Sequence, residues 1–394
     1  MKIIFQNNNI LKFFTISITR ISLDQYIILN YIMLISNFSI QKLGNINFFS
    51  LLFALISMLL SGIIYDKFSH KLFFKLGIFI SFLSSITLFL STKHEVFIYF
   101  FAILYPISQN FFYGKNEAFL FQSVKNNIKN TSIFPRILSF FYGISDFIKF
   151  LSSIISTILI SFHSIKYIQY YLVFFTFFQA LCILIFTNFT QNKKSQSKNS
   201  LFAIKCLIFG RLKYTILLFS IYTSIMYLYK EILVLVGKIY DVSAINIGLY
   251  KAKYHLFLSL GCLIPLILKP HFFNKKAPLF SHIIPIISLI CITIFAVQGN
   301  YIYIIYCLFA ISLSFCAFEI SLDLKGNRLV KEEVIGTFNS ILWTVSLLFS
   351  VLMSGLIAIL LKYMDGKIAL NIIFSIYAIA VIFASILQRR SVKI

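Results

Sequence analysis

The sequence predicts an all-α membrane protein of about twelve transmembrane helices in two six-helix, pseudo-symmetric halves, on three observations. First, 59% of its 394 residues are hydrophobic and only 12% are charged. A water-soluble domain has about 45–50% apolar and about 25% charged residues. Too little charge is present here to cover a surface facing water, so the excess apolar area must face lipid. Second, the apolar residues are gathered into long runs, each near the roughly 20 residues that a helix needs to cross a hydrocarbon layer. Third, the loops between runs alternate between many and few basic residues. Helices are required because hydrocarbon offers backbone N–H and C=O groups no partner, and a helix satisfies them internally.

Taken in order, the predicted spans are Leu11–Ile35, Ile46–Tyr65, Leu72–Ser91, Val96–Tyr113, Ile137–Ser161 and Tyr167–Phe189, then Tyr214–Val236, Ala244–Leu268, Ala277–Val297, Tyr301–Ile320, Val334–Leu361 and Ala369–Leu387. The longest polar stretch, Asn192–Ser200, falls near mid-chain. After it, Leu201–Lys213 is apolar with Lys205, Arg211 and Lys213 interspersed, the pattern of a short helix lying on a membrane surface. The expected organisation is a six-helix half over 1–190, a linker with an interfacial helix over 191–213, and a second six-helix half over 214–394. Met1–Asn9 is polar and runs into an apolar stretch with no small-residue cleavage site, so the first run is expected to be a retained helix.

The net charge is +23. In a soluble protein that would point to nucleic acid, but its placement points to a bilayer. With the N-terminus inside, the inner segments carry clusters such as Lys67, Lys71 and Lys75, then Lys115, Lys125, Lys129 and Arg136, and later Lys325, Arg328 and Lys331. The outer loops carry about one each, among them Lys42, Lys93, Lys166 and Lys238. This alternation holds through every loop and supports an even number of spans. It places both termini in the cytoplasm, with the basic loops against anionic headgroups and no nucleic-acid partner. The six cysteines are scattered singly with no metal-site spacing, so they are expected to be small buried hydrophobes, with no disulfide framework and no metal.

An ionisable group at the centre of a membrane helix costs ~2.5–3.5 kcal/mol and usually faces a cavity or a partner. Arg20 and Asp24 in the first span are spaced i,i+4 and share a face. Asp146 and Lys149 lie i,i+3 near the middle of the fifth. Lys230 and Glu231 are adjacent in the seventh; Lys251, Lys253 and His255 lie in the outer half of the eighth. Glu117 and Glu319 sit toward the cytoplasmic ends of the fourth and tenth, where a helix-end salt bridge is the expectation. Arg20, Asp24, Asp146, Lys149, Lys230, Glu231 and Lys251 are the candidate substrate or proton pathway. Each has a plainer reading. Arg20–Asp24 and Asp146–Lys149 fit structural pairs, the lysines of the seventh and eighth spans can snorkel outward, and His255 suits a packing role. Glu231 is also placed to pair with Lys251 or Lys253 as a gate.

Two segments carry a family resemblance. Ser61-Gly62-Ile63-Ile64-Tyr65-Asp66-Lys67-Phe68-Ser69-His70-Lys71 is similar to the G-x-L-A-D-R-x-G-R-K loop of the major facilitator superfamily. Gly62, Asp66, Lys67 and Lys71 match; Ser69 replaces a glycine and His70 an arginine. Gly114-Lys115-Asn116-Glu117-Ala118-Phe119-Leu120-Phe121-Gln122-Ser123-Val124-Lys125 resembles a G-x-x-E-A-L-x-Y-D-S-L-K stretch of a bacterial branch of that superfamily, with Phe121-Gln122 in place of Tyr-Asp. Glu332–Gly355 is a weaker echo. The resemblance implies a cytoplasmic latch at Gly62, Asp66, Lys67, Lys71 and Glu117. It also implies a central cavity walled by eight helices, with spans 3, 6, 9 and 12 peripheral; those four carry essentially no charge at depth. The intramembrane arginine and Gly-Pro run of drug–proton antiporters are missing from the fourth and fifth spans.

The expected function is secondary transport of a small polar or charged solute by alternating access. The protein would act as a monomer in the cytoplasmic membrane (the bacterial inner membrane), with proton or ion coupling and no cofactor. No phosphate-binding G-x-x-x-x-G-K-[ST] loop is present to supply ATP drive. A transporter-like sensor or a degenerate transporter is the alternative. A membrane-embedded transferase fits less well, because no HExxH, GxSxG or clustered loop acids occur, so no enzyme activity is expected.

Overall fold

The computed structural model describes residues 40–91, 93–112, 134–162, 213–267, 283–329 and 335–392, with Gly210 and a few positions between 170 and 181. They form ten helices: α1 (Ile40–Lys67), α2 (His70–Leu90), α3 (Val96–Asn110), α4 (Phe134–Phe162), α5 (Lys213–Ile239), α6 (Ala244–Ile267), α7 (Ile284–Gln298), α8 (Tyr301–Leu329), α9 (Ile335–Tyr363) and α10 (Gly366–Val392). These are the predicted spans 2–5 and 7–12. The first predicted span, with Arg20 and Asp24, lies outside the described residues, as do most of the sixth and the surface helix after the linker. Among the described residues six helices are long and apolar enough to cross a bilayer, or seven if the two straight pieces of α5 form one span. The chain is a multi-pass membrane protein.

Several helices outrun their apolar cores. α8 continues past Ile320 to Leu329 and α1 begins at Ile40, because a helix keeps its backbone bonds satisfied in headgroup and water as well as in lipid. Local chemistry sets the turns. Ser69 accepts a hydrogen bond from Leu72 N at 3.4 Å and caps α2. Ser69, which stands where the resembled loop pattern has a glycine, thus has its own capping role. Asp365 Oδ1 accepts from Lys367 N at 2.8 Å at the head of α10. Gly299, at φ +73°, closes α7, its N–H bonding Ala296 O and that of Asn300 bonding Phe295 O.

Tertiary contacts pin one end of the later helices. The Tyr240 ring, just past α5, lies 5.5 Å from Tyr301 at the head of α8 and beneath the Lys367 amine of α10 at 5.4 Å. Burial, with the Asp365 carboxylate adding to it, holds the Tyr240 phenol above its usual range, so it stays neutral in this knot. Lys42 of α1 pairs with Glu95 at the head of α3, joining two segments expected to lie outside.

Two seams join helices before the polar linker to helices after it: α4 packs along α6 and α1 along α9, the two most extensive helix pairings in the fold. α6 is further held by α8, while α7 and α10 pack on the flank of the later helices. Large apolar side chains face outward on α2 (Leu72, Leu76, Phe79), α7 (Ile287, Ile290, Ile294) and α10 (Ile379, Ile382, Phe383). These are three of the four spans expected at the periphery, though α1 (Ile56, Leu60), α4 (Phe147, Ile158) and α9 (Leu352, Ile359) also turn large apolar side chains outward. The core runs along α5, where Phe219 meets Trp343 of α9 edge-on at 5.6 Å and Phe315 of α8 at 5.9 Å.

Small residues let α6 sit close to both neighbours. A Cβ on Gly248 would run into Thr157 of α4, and one on Gly261 would run into the backbone of Leu313 in α8. A side chain on α8 could turn aside, but its backbone cannot. Gly261→Ala is therefore expected to destabilise the protein by about 1–3 kcal/mol through overpacking. Gly299→Ala, with open space but a left-handed backbone, should cost about 1 kcal/mol. Melting temperatures in one detergent would measure both; no loss for Gly261→Ala would show that α6 and α8 can part without cost.

Candidate functional site

The α4 sequence repeats small or polar residues at helical spacing: Ser139, Gly143, Asp146, Ser153 and Thr157 are all buried, while Phe147, Leu151, Ile155 and Ile158 are exposed to the lipid side. The α6 sequence answers with Gly248, Lys251, His255, Ser259 and Cys262, also all buried. The register is antiparallel: Gly248 meets Thr157, and Ser259 Oγ donates to Gly143 O at 2.8 Å. A Cβ on Gly143 would stand 3.5 Å from that of Cys262. In this register Lys251 and His255 lie between the two contact points. A polar seam thus runs the length of α4 and α6, at a depth where each ionisable group must be compensated.

Asp146 is the acid of this seam. It lies twelve positions into a 29-residue helix, about 18 Å from its start at 1.5 Å per residue, and is only 7% exposed. Lys149 Nζ donates to Asp146 Oδ1 at 2.7 Å, the i,i+3 pair that the spacing predicts. The amine is the more open partner, its side chain 43% exposed. The lysine can therefore leave the carboxylate while the carboxylate stays enclosed.

Two cysteines complete the picture and correct an expectation. They were expected to be isolated buried hydrophobes, yet Cys262 of α6 and Cys316 of α8 are joined as a disulfide, their Cα atoms 5.4 Å apart. They are 54 residues apart in sequence, and the close α6–α8 approach at Gly261 brings them together. Their sulfurs and an Asp146 carboxylate oxygen all lie within 4.8 Å of one another, all buried. Glu319, expected near a helix end, is instead buried inside α8, which continues ten residues further to Leu329; it shares a face with Cys316 one turn away.

The remaining predicted residues do not converge as one site. Lys230 and Glu231 fall where α5 breaks by 48° between Ile216–Tyr229 and Ile232–Ile239. Neither proline nor glycine stands at the break. Tyr229, just before it, is fully enclosed, stacked on Tyr254 of α6 at 3.6 Å, and donates to Tyr250 O at 3.2 Å. A bend at an adjacent charged pair in a span marks backbone that a cavity or polar neighbours must satisfy. Lys251 is buried in the seam, which corrects the reading that it snorkels, whereas Lys253 is exposed. Of the latch residues, Gly62 is buried in α1, Asp66 and Lys67 form its last turn, and Lys71 is half-buried in the first turn of α2. Glu117 lies outside the described residues.

If the Asp146–Lys149 pair supports the seam, Asp146→Asn and Lys149→Gln should each lower stability, and the double variant should recover part of the loss. The expected coupling exceeds about 0.5 kcal/mol, as for an ion pair with one open partner. A thermal double-mutant cycle measures it, and additive losses would show that the pair contributes nothing to the fold.

No protein-family model matches the sequence, and comparison with curated proteins finds no match. Solved structures do match. A variant of the nucleoside transporter NupG superposes with a TM-score of 0.66 at 12% identity, covering 98% of this chain and 100% of the other. A bacterial homologue of the iron transporter ferroportin in an outward-facing state gives the same TM-score and identity over 99% of each chain, and its form with soaked iron gives 98% of each. The structures named are of transporters, and over nearly its whole length this chain has their all-helical, multi-span fold.

Proposed function

We propose that the protein is a secondary transporter of a small polar or charged solute, working by alternating access between the helices of 1–190 and those of 214–394. The observation that carries this reading is the Asp146–Lys149 pair, its carboxylate buried on the α4–α6 seam and its amine the more open partner. It is an expensive ion pair at membrane depth, on a surface where the two sets of helices meet and would have to move apart. A transporter-like fold implies a small-molecule substrate; the cargoes named for the matched structures, a nucleoside and iron, are unlike each other, so the fold alone does not choose one. Acids and bases together on the seam favour a polar or zwitterionic solute over an apolar one. The second charged locus is the α5 break at Lys230–Glu231, where a half-helix end would face the same interior. In this reading the termini and basic loops face the cytoplasm, Asp66, Lys67 and Lys71 latch that side, and Asp146 or Asp24 carries a coupling proton. A membrane-embedded enzyme gains no support from the structures named, which are of transporters.

A thermal-shift screen of amino acids, nucleosides, sugars, vitamins and organic acids tests this. At a ligand concentration of 100 Kd, about 2.7 kcal/mol of stabilisation is expected, a shift of several degrees. Wild-type protein should respond to one chemical class and Asp146→Asn should not; the same compound should then be taken up by vesicles containing the protein. A wild-type response retained in full by Asp146→Asn would remove the pair from the substrate path. Binding without uptake under either a proton or a sodium gradient, or under substrate exchange, would favour a solute sensor.

A further inference from the structure

We infer that Asp146, Cys262 and Cys316, with the two thiols reduced, form a binding site for a thiophilic divalent cation of the zinc(II) kind. Three potential ligand atoms from three helices, α4, α6 and α8, lie within 4.8 Å of one another and are buried. In a tetrahedral zinc site, with Zn–S about 2.3 Å and Zn–O about 2.0–2.2 Å, ligand atoms stand roughly 3.5–3.8 Å apart. With the disulfide reduced, side-chain rotation would let the sulfurs part and the carboxylate close in toward that spacing. The Cα atoms of the two cysteines, 5.4 Å apart, are near enough to share one ion.

The chemistry of the donors selects the cation. A disulfide is neutral and gains nothing from a carboxylate held against it at membrane depth, where an enclosed charge is costly. Two thiolates and a carboxylate carry three negative charges. A dication and the Lys149 ammonium, already on Asp146 at 2.7 Å, carry three positive and balance the three ligands, while buried Lys251 and Glu319 on α6 and α8 add one further charge of each sign. A monovalent ion would leave a buried negative charge. Magnesium and calcium prefer all-oxygen shells, which two sulfurs cannot supply. Three protein ligands leave a fourth position open, the arrangement of exchangeable rather than structural zinc. Because α4 precedes the polar linker and α6 and α8 follow it, the bound ion would tie the two sets of helices across their seam. Cation binding here stands apart from the transport reading and does not require that any solute be moved.

The test uses the full-length protein in detergent, reduced with a phosphine until all six cysteines react with a thiol reagent after unfolding, then freed of phosphine. Cobalt(II) serves as the spectroscopic probe. One cobalt per chain with a thiolate-to-cobalt absorption band, displaced by zinc(II), is the expected result. Cys262→Ser and Cys316→Ser should each lose most of the band, and Asp146→Asn should weaken binding at least about tenfold, since even outer-shell partners are worth 10–100-fold. Replacing Cys291 and Cys307, the free thiols of α7 and α8, by serine should leave the band intact. A second measurement needs no variant: zinc(II) should protect Cys262 and Cys316 of the reduced wild type from alkylation, read by peptide mapping. The inference is overturned by a reduced wild type that gives no band, by a band that survives loss of Cys262 and Cys316, by no zinc protection, or by a disulfide that withstands the phosphine in the folded protein.

Discussion

Hydrocarbon gives a backbone amide nothing to bond to, and the rest of this structure follows from that constraint. Each crossing segment must be a helix, each helix must be apolar on its lipid face, and any polar side chain at depth must turn inward to a neighbour. In the absence of a hydrophobic force between helices in lipid, their association depends on close van der Waals contact and on polar pairing. That is why the seams of this protein are written in glycine, serine, threonine and cysteine rather than in leucine. Gly248 against Thr157, Gly261 against the Leu313 backbone and Ser259 on the Gly143 carbonyl together decide how near α4, α6 and α8 come.

The same closeness concentrates chemistry. Once α6 is held between α4 and α8, the acid of one helix and the sulfurs of the other two have no choice but to meet. Elsewhere the polar residues mostly serve the fold. Asn110 of α3 donates to Ala54 O at 2.6 Å and to Ser57 Oγ at 2.7 Å in α1, and Ser224 of α5 meets the Tyr377 hydroxyl of α10 at 3.0 Å. These bonds lock neighbours that come from the same side of the polar linker. The α4–α6 seam differs in joining helices from opposite sides of it and in carrying full charges. The proposed mechanism and the proposed cation site therefore draw on one surface, although neither requires the other.

The break in α5 adds a second kind of constraint. Tyr229 is gripped by the Tyr254 ring and by the Tyr250 carbonyl immediately before the helix changes direction. Past the bend, Ile232, Leu233 and Val236 are buried in the same core, so both pieces of α5 are held, and the charged dipeptide Lys230-Glu231 stands between them.

Sequence alone determined the class and located the ten helices that the structure describes. Each of the ten helices described overlaps a predicted run, since run length and apolar content answer directly to the thickness of the bilayer, although α8 extends well past its run and α1 begins well before its own. It also found Asp146 and Lys149, because i,i+3 spacing on one helix is a local fact, and it marked Lys230 and Glu231 as charges that need an explanation. It missed the pairing of Cys262 with Cys316, the burial of Lys251 and Glu319, and the bend in α5. Cysteines 54 residues apart in two apolar runs are indistinguishable in sequence from packing residues; a small-residue pattern on α6 was the one available hint. Depth along a helix can be counted from a sequence, but the neighbour a side chain meets depends on which helices touch and in what register. That was decided by tertiary structure alone, through the small residues that let α6 lie against α4 on one face and α8 on the other.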